Sequence, residues 1–480
     1  MNIKKVISFI GIMMMIESIL MILPFIVSII YKESDGKYFS YVGLPLLVIG
    51  FLLYKFFKTD DDKFYSAEGF VTVSIGWIVL SVCGALPFCI SKAIPNFIDS
   101  LFETVSGFTT TGATILTDVT QLSNCMLFWR SFTHFVGGMG VLVLMLAIIP
   151  TKSENMHIMK AESPGPKVGK LVSKVSDTAR TLYLIYVVLT IITILSYKLS
   201  GMPLFDSICI GFGTAGTGGF VVTKNGCADY NTFSQTLIGI YMLIFGVNFN
   251  IYYLILIKKI KDALCSEELR VYLGIVFMSI VLIVFNIYNL YNSIGESIHN
   301  AFFHVSSIIT TTGYAISDYT IWHDFSQVML LLLMICGACA GSTAGGLKVS
   351  RVVISVKSAI NELYMQLHPN SVKVITFEDK VVDKNTKNTV MSYVIIYILI
   401  CLLGILLISL DDFDFTTTVS SVIETFNNVG LGLSKIGPKG NFSIFNQFSK
   451  VVFVILMLTG RLEIFPMIIL FSKNTWKRST

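Results

Sequence analysis

The sequence predicts an all-α polytopic membrane protein: ten transmembrane helices plus four re-entrant half-helices, arranged as pseudo-fourfold helix–loop–helix repeats around one axis. Three observations predict it. Hydrophobic residues make up 54% of the 480 residues and charged ones only 14%, with a mean hydropathy of +0.74, whereas soluble chains carry about 25% charged residues. The apolar residues also gather into blocks of about 20, the length that crosses about 30 Å of hydrocarbon as a helix. Finally, four short Thr/Gly-rich stretches recur at matching places between these blocks.

The ten blocks lie at about 6–30, 39–57, 69–91, 126–150, 180–199, 232–257, 268–291, 325–353, 389–410 and 449–472. The first is read as a span and not a secretory signal: it is long, lacks a small-residue cleavage site, and continues through Phe25 to Tyr31. The nine cysteines fall mostly in or beside blocks. Cys336 and Cys339 form a CxxC, but inside an apolar block without a βαβ context, so packing is favoured over a redox or zinc role.

The charge distribution orients the chain. With a cytoplasmic N-terminus, 25 of the 35 Lys and Arg residues fall on the inside, seven outside, and three (Arg130, Lys450, Arg461) at or within spans. That bias fits ten crossings with both termini cytoplasmic. The net charge of +5 forms no single basic patch, so no nucleic-acid partner is expected.

Aligned on one glycine, the four stretches are DSLFETVSGFTTTGA (99–113), DSICIGFGTAGTGGF (206–220), NAFFHVSSIITTTGY (300–314) and TTVSSVIETFNNVGL (417–431). The core glycines are Gly112, Gly219, Gly313 and Gly430. Gly218 competes in the second stretch; Gly219 is preferred because it brings Asp206 into register with Asp99 and Asn300. Each stretch is too short to span, and irregular backbone at membrane depth is tolerated only where protein buries it or where it lines a watery cavity. The resulting division is a two-helix extension (1–66) and repeats at 67–152, 178–262, 266–357 and 386–480.

Rings of backbone carbonyls strip a cation of its water, and glycine permits the dihedrals that turn them inward. The residues before the glycines are uncharged: Thr110 and Thr111, Thr217 and Gly218, Thr311 and Thr312, Asn428 and Val429. This pattern points to a pore selecting by neutral dipoles, with the partly negative ends of the half-helices favouring a cation. Glu103, Asp99, Asp206 and Asp318 are either a negative mouth or solvated loop charges.

The eighth block is interrupted by Gly337-Ala-Cys-Ala-Gly341-Ser342-Thr343-Ala-Gly345-Gly346. Four glycines cost a helix about 0.8–1.0 kcal/mol each relative to alanine, so an unwound blocking loop is expected, with close helix packing as the alternative. The string is not a phosphate loop, because Lys348 is misplaced and no strand precedes it; no nucleotide site is expected in this chain. Arg461, in LTGRLEIF, is an intramembrane charge and a functional candidate by default. It is read either as a pore-facing cation or as an ion-pair partner of Glu463 or another carboxylate. His134, His299, His304 and His323 belong to no HExxH, and GxSxG is absent, so no enzyme is expected.

SGFTTTGAT (106–114), TGGF (217–220), TTTGY (310–314) and NNVGLG (427–432) resemble the four filters of the Trk/Ktr/HKT potassium-transporter superfamily. GGMGVLVL (137–144), ESPGP (162–166), CAGSTAGGLKV (339–349) and GRLE (460–463) extend the resemblance along nearly the whole chain, and the two extra N-terminal spans point to the Trk type of transmembrane subunit (TrkH-like). The resemblance implies a potassium-selective uptake pore in the bacterial inner membrane, with potassium as the transported ion at the filter residues. It makes the glycine-rich interruption a gating loop and Arg461 a pore arginine. It further implies a homodimer and a cytoplasmic ring of nucleotide-binding regulatory subunits (Trk-A-like). A sodium or mixed sodium/potassium conductor is the alternative; relatives passing sodium often carry serine where this chain has Gly112.

Overall fold

The computed structural model describes residues 2–59, 66–140, 175–369 and 374–476. Among the described residues, six helices are long and apolar enough to cross a membrane: Ile3–Tyr31, Gly36–Phe57, Glu68–Ile90, Ala179–Leu199, Glu267–Leu290 and Lys384–Asp411. Their outward faces carry Ile29, Leu44, Phe51, Phe277, Phe285, Leu402 and Leu406 exposed. Such rows of bare aliphatic and aromatic side chains suit lipid. The chain is a multi-pass membrane protein.

The other expected blocks are not simple rods. Thr232–Phe245 and Phe249–Leu256 meet at 88°. There Asn248 caps the second helix through the Asn250 N–H (3.0 Å), and the Phe249 N–H bonds the Gly341 carbonyl at 3.0 Å. Gln447–Arg461 and Phe465–Phe471 meet at 119°. Glu463 and Ile464 are left-handed at the corner (φ +57° and +64°), and Pro466 sits in the first turn after it, where it lacks only an N–H the helix would leave unpaired. The eighth block is helical over Asp324–Cys336, stops at Gly337 (φ +69°), and resumes as Val349–Leu367. The fourth block is helical over Asn124–Gly138; its remainder (141–150) and ESPGP (162–166) lie outside the described residues.

The two helices of the N-terminal extension pack against each other through small residues. Gly11 and Gly50 face each other so closely that a Cβ on either would meet the other's carbonyl oxygen at 2.6 Å. Ser18 donates to the Gly43 carbonyl at 2.6 Å. Among the described residues the only strands are Thr376–Phe377 and Lys380–Val381, a small antiparallel hairpin.

Four short helices carry the glycine loops: Phe97–Phe108, Leu204–Gly216, Ile294–Ile309 and Phe415–Phe426. Asn96, Ser293 and Asp414 cap three of them through their side chains, and the second starts at Pro203. These caps satisfy N–H groups that would otherwise be orphaned at the start of a helix.

Candidate functional site: a closed ring of glycine loops

All four half-helices end with the same backbone device. Two residues before each core glycine the chain is left-handed, at Thr110 (φ +56°), Thr217 (+56°), Thr311 (+53°) and Asn428 (+55°). The following N–H folds back onto the helix: Thr111 to the Ser106 carbonyl (2.8 Å), Gly218 to Gly213 (2.7 Å), Thr312 to Ser307 (2.8 Å), Val429 to Glu424 (2.9 Å). Together with a tighter bond from each left-handed residue, this is Schellman closure, a motif that normally takes glycine. A β-branched residue there costs about 1–3 kcal/mol, so three threonines mark a strained and specialised turn.

The core glycines are left-handed in turn, at Gly112 (+83°), Gly219 (+81°), Gly313 (+78°) and Gly430 (+84°). A Cβ on Gly112 would strike the carbonyl oxygen of Gly218; on Gly219, that of Thr312; on Gly313, that of Val429; on Gly430, that of Thr111. These contacts close a cycle, each loop touching the next and the fourth returning to the first. Gly218 stands at the position of Thr111, Thr312 and Val429 in that cycle, and Gly219 at that of the other glycines.

The interrupted segment and Arg461 meet on the helix side of this ring. The Gly345 N–H donates to the Thr311 hydroxyl at 2.7 Å. Arg461 donates to the Thr343 carbonyl (2.8 Å), the Thr110 hydroxyl (3.2 Å), and the Gly137 (2.5 Å) and Gly138 (2.6 Å) carbonyls. It thus links the interrupted segment to the first glycine loop and to the end of the helix Asn124–Gly138. Glu463, the ion-pair partner considered for Arg461, is paired with Arg351, whose guanidinium also lies 4.0 Å from the centre of the Tyr393 ring. Glu268 anchors the interrupted segment at both ends, accepting from the Ala340 N–H (2.7 Å) and the Ser350 N–H (3.2 Å).

Of the acidic residues read as mouth or solvated charges, Glu103 fits neither reading, and Asp99, Asp206 and Asp318 are partly exposed. Glu103 is buried and paired with Arg130 at 2.5 Å. Asp99 pairs with Lys450 at 2.7 Å and Asp318 with Lys439 at 3.2 Å, while Asp206 accepts from the Tyr230 hydroxyl at 3.1 Å. Burial works to raise the Asp318 carboxyl, but bonds from Thr320 and Lys439 hold it below its ordinary value. His134 is a wedge: its Nδ1 lies 2.8 Å from the Gly107 carbonyl and its Nε2 accepts the Phe220 N–H at 3.3 Å, which makes Nδ1 the protonated nitrogen.

The family model described as TrkH, cation transport protein, matches residues 44–478. This chain belongs to the TrkH family. The family is one of transporters and not of enzymes. The chain is 34% identical over 474 residues to the Trk system potassium uptake protein TrkG of Escherichia coli K12, covering 97% of each. It is 35% identical over 486 residues to the TrkH protein of Salmonella typhimurium, covering 99% of this chain and 100% of that one. The crystal structure of the potassium transporter TrkH from Vibrio parahaemolyticus superposes with a TM-score of 0.90 at 28% identity, covering 99% of this chain and all of the other.

Of the residues around the TrkH-family ring, sequence reading did not single out Glu268 or Tyr319, and it left Arg130 without a role. Arg130 and Glu103 carried a usable signal: two opposite charges in apolar segments flanking the first loop each require a buried partner.

Proposed function

We propose that this protein conducts potassium across a bacterial inner membrane, through one pore whose selectivity filter is the ring of four glycine loops. The closed cycle of Gly112, Gly219, Gly313 and Gly430 carries this reading, supported by the potassium-uptake names of the relatives. In it, ten spans and four re-entrant half-helices form four repeats, at 67–152, 178–262, 266–357 and 386–480, behind an extension at 1–66, with both termini cytoplasmic. Carbonyls around Thr110–Gly112, Thr217–Gly219, Thr311–Gly313 and Asn428–Gly430 replace the water shell of potassium. The half-helix ends add a partly negative field, and no side-chain charge enters the selecting ring.

The segment Gly337–Gly346 and Arg461 form the gate, through Gly337, Gly341, Ser342, Thr343, Gly345 and Gly346. Their contacts with Thr311 and Thr110 support an obstruction directly beneath the filter. The relatives' designation as parts of a Trk system supports further components; the motif resemblance makes these a second copy and a cytoplasmic ring of nucleotide-binding subunits that supplies nucleotide regulation from outside this chain.

Purified protein in liposomes tests the reading. Potassium flux from the chain alone, well above that of sodium, is the expected result; equal sodium flux would establish a mixed conductor, and no cation flux would remove the proposal.

A further inference from the structure

We propose that the buried pair Glu103–Arg130 is a positioning element that sets the spacing between the first and second loops and thereby ion preference. The proposal rests on the reading of the glycine ring as a filter. Glu103 and Arg130 are 1% and 2% exposed, and they meet at 2.5 Å through Nε. The Glu103 carboxylate also accepts from the Thr114 hydroxyl (2.9 and 3.0 Å) and the Ile115 N–H (3.0 Å). Those residues are the second and third after Gly112. The other arm of Arg130 donates to the Val221 carbonyl at 3.0 Å, and its guanidinium lies 3.6 Å from the centre of the Phe220 ring. Those residues are the first and second after Gly219. One ion pair therefore ties the outgoing strand of loop one to that of loop two.

At the other three junctions neutral groups join the residues nearest the core glycines, while the ion pairs Asp318–Lys439 (3.2 Å) and Asp99–Lys450 (2.7 Å) lie outside them. The Tyr314 hydroxyl bonds the Ile210 and Phe220 carbonyls (3.2 and 3.4 Å), joining loop three to loop two. The Tyr319 hydroxyl bonds the Gly432 carbonyl at 2.7 Å, joining three to four. The Phe442 N–H bonds the Thr114 carbonyl at 2.8 Å, joining four to one. A buried ion pair adds little net stability over an apolar pair of the same shape, since both charges lose their water. What the guanidinium adds is direction: a planar fork whose donors reach Glu103 and Val221 while its face stacks on Phe220. A junction that holds two filter strands at fixed separation acts on which ion fits between them.

Two variants test this. Arg130→Lys keeps the charge opposite Glu103 but has no fork to reach Val221 and no plane to stack. Glu103→Gln with Arg130→Gln removes both charges without orphaning either. Each is purified, its folded fraction and melting temperature measured, and its potassium-to-sodium flux ratio read in liposomes beside Gly112→Ser. The expected result is a ratio lowered about tenfold, the equivalent of about 1.4 kcal/mol, in folded protein that still passes potassium. An unchanged ratio in both variants, with Gly112→Ser still lowering it, overturns the positioning role and leaves the filter reading standing. An unchanged ratio in Gly112→Ser as well removes the filter reading, and this proposal with it. If neither variant yields folded protein, the pair is structural and the proposal falls.

Discussion

Gly345 donates its backbone N–H to the Thr311 hydroxyl at 2.7 Å, so the segment breaking the eighth apolar block touches the third loop at its strained left-handed residue. Thr110, in the equivalent turn, accepts from Arg461 through its hydroxyl oxygen. Glycine would relieve the backbone at both positions, but it would offer no oxygen. The strain at these two turns is thus matched by a side-chain acceptor aimed at the elements beneath the ring, as expected where backbone strain serves a function.

The anchor of that segment gives the first prediction. Glu268 holds it through the Ala340 and Ser350 N–H groups, and hydrogen bonds to a charged group contribute about 1.5–3 kcal/mol each. Glu268→Ala is expected to raise basal potassium flux about tenfold, the effect of about 1.4 kcal/mol on a blocked–open balance, with ion preference unchanged. Shortening residues 338–345 is expected to act in the same direction. Liposome flux normalised to folded protein checks both, and wild-type flux in a folded deletion would return the segment to simple helix packing.

Ion preference itself is tested at the glycines. A Cβ on Gly112, Gly219, Gly313 or Gly430 would enter the carbonyl of the next loop from a φ that side chains rarely adopt. Gly→Ser at each is expected to lower the potassium-to-sodium ratio. Gly218 separates two kinds of damage. Its Cβ would first meet the His134 ring, so Gly218→Ala is expected to lower folded yield more than preference. The reverse pattern at 218 and 219 would shift the register of the second loop.

Thr217 isolates the cost of the left-handed turn, because its hydroxyl bonds the adjacent Gly216 carbonyl (2.6 Å). Thr217→Gly removes strain of about 1–3 kcal/mol and loses about 0.5–1 kcal/mol to chain entropy. Its melting temperature is expected to match or exceed wild type. Thr217→Val keeps the strain, loses the bond, and is expected to melt lower. A lower melting point for the glycine variant would contradict the strain assigned here.

Hydropathy made the long helices legible, since blocks of about 20 apolar residues have few other uses. The bends at Gly246–Asn248 and Glu463–Ile464 were not legible. The first depends on the Phe249 N–H meeting a carbonyl at Gly341, a contact between residues far apart in sequence that no local pattern records. The breaking of the eighth block was legible because four glycines in ten residues disfavour a helix by themselves. Arg461 stood out as a charge in an apolar run, but its neighbour Glu463 suggested the wrong partner. The acid pairs with Arg351, 112 positions away in sequence. Glu103 was misread for the same reason, as its partner Arg130 is on the following helix.

Those partners sharpen the prediction for Arg461. Arg461 donates to the carbonyls of Gly137, Gly138 and Thr343 and to the Thr110 hydroxyl, so its charge stands beside the ring. At about 4 Å and an effective dielectric of about 20, a unit charge repels a monovalent cation by about 4 kcal/mol. Arg461→Gln keeps hydrogen-bond donors and removes that repulsion; it is expected to increase potassium flux per folded molecule. Arg461→Lys keeps the barrier, because the charge governs it more than the shape. Arg351 is the contrasting position. Arg351→Ala strips Glu463 of its paired cation, a loss of about 3–5 kcal/mol when a charge is left buried, so its melting temperature is expected to fall well below that of Arg461→Gln. Flux and melting temperature measured on the same preparations separate the two roles. If Arg461→Gln melts as low as Arg351→Ala with unit flux at the wild-type level, Arg461 is a structural residue and the gate lies elsewhere.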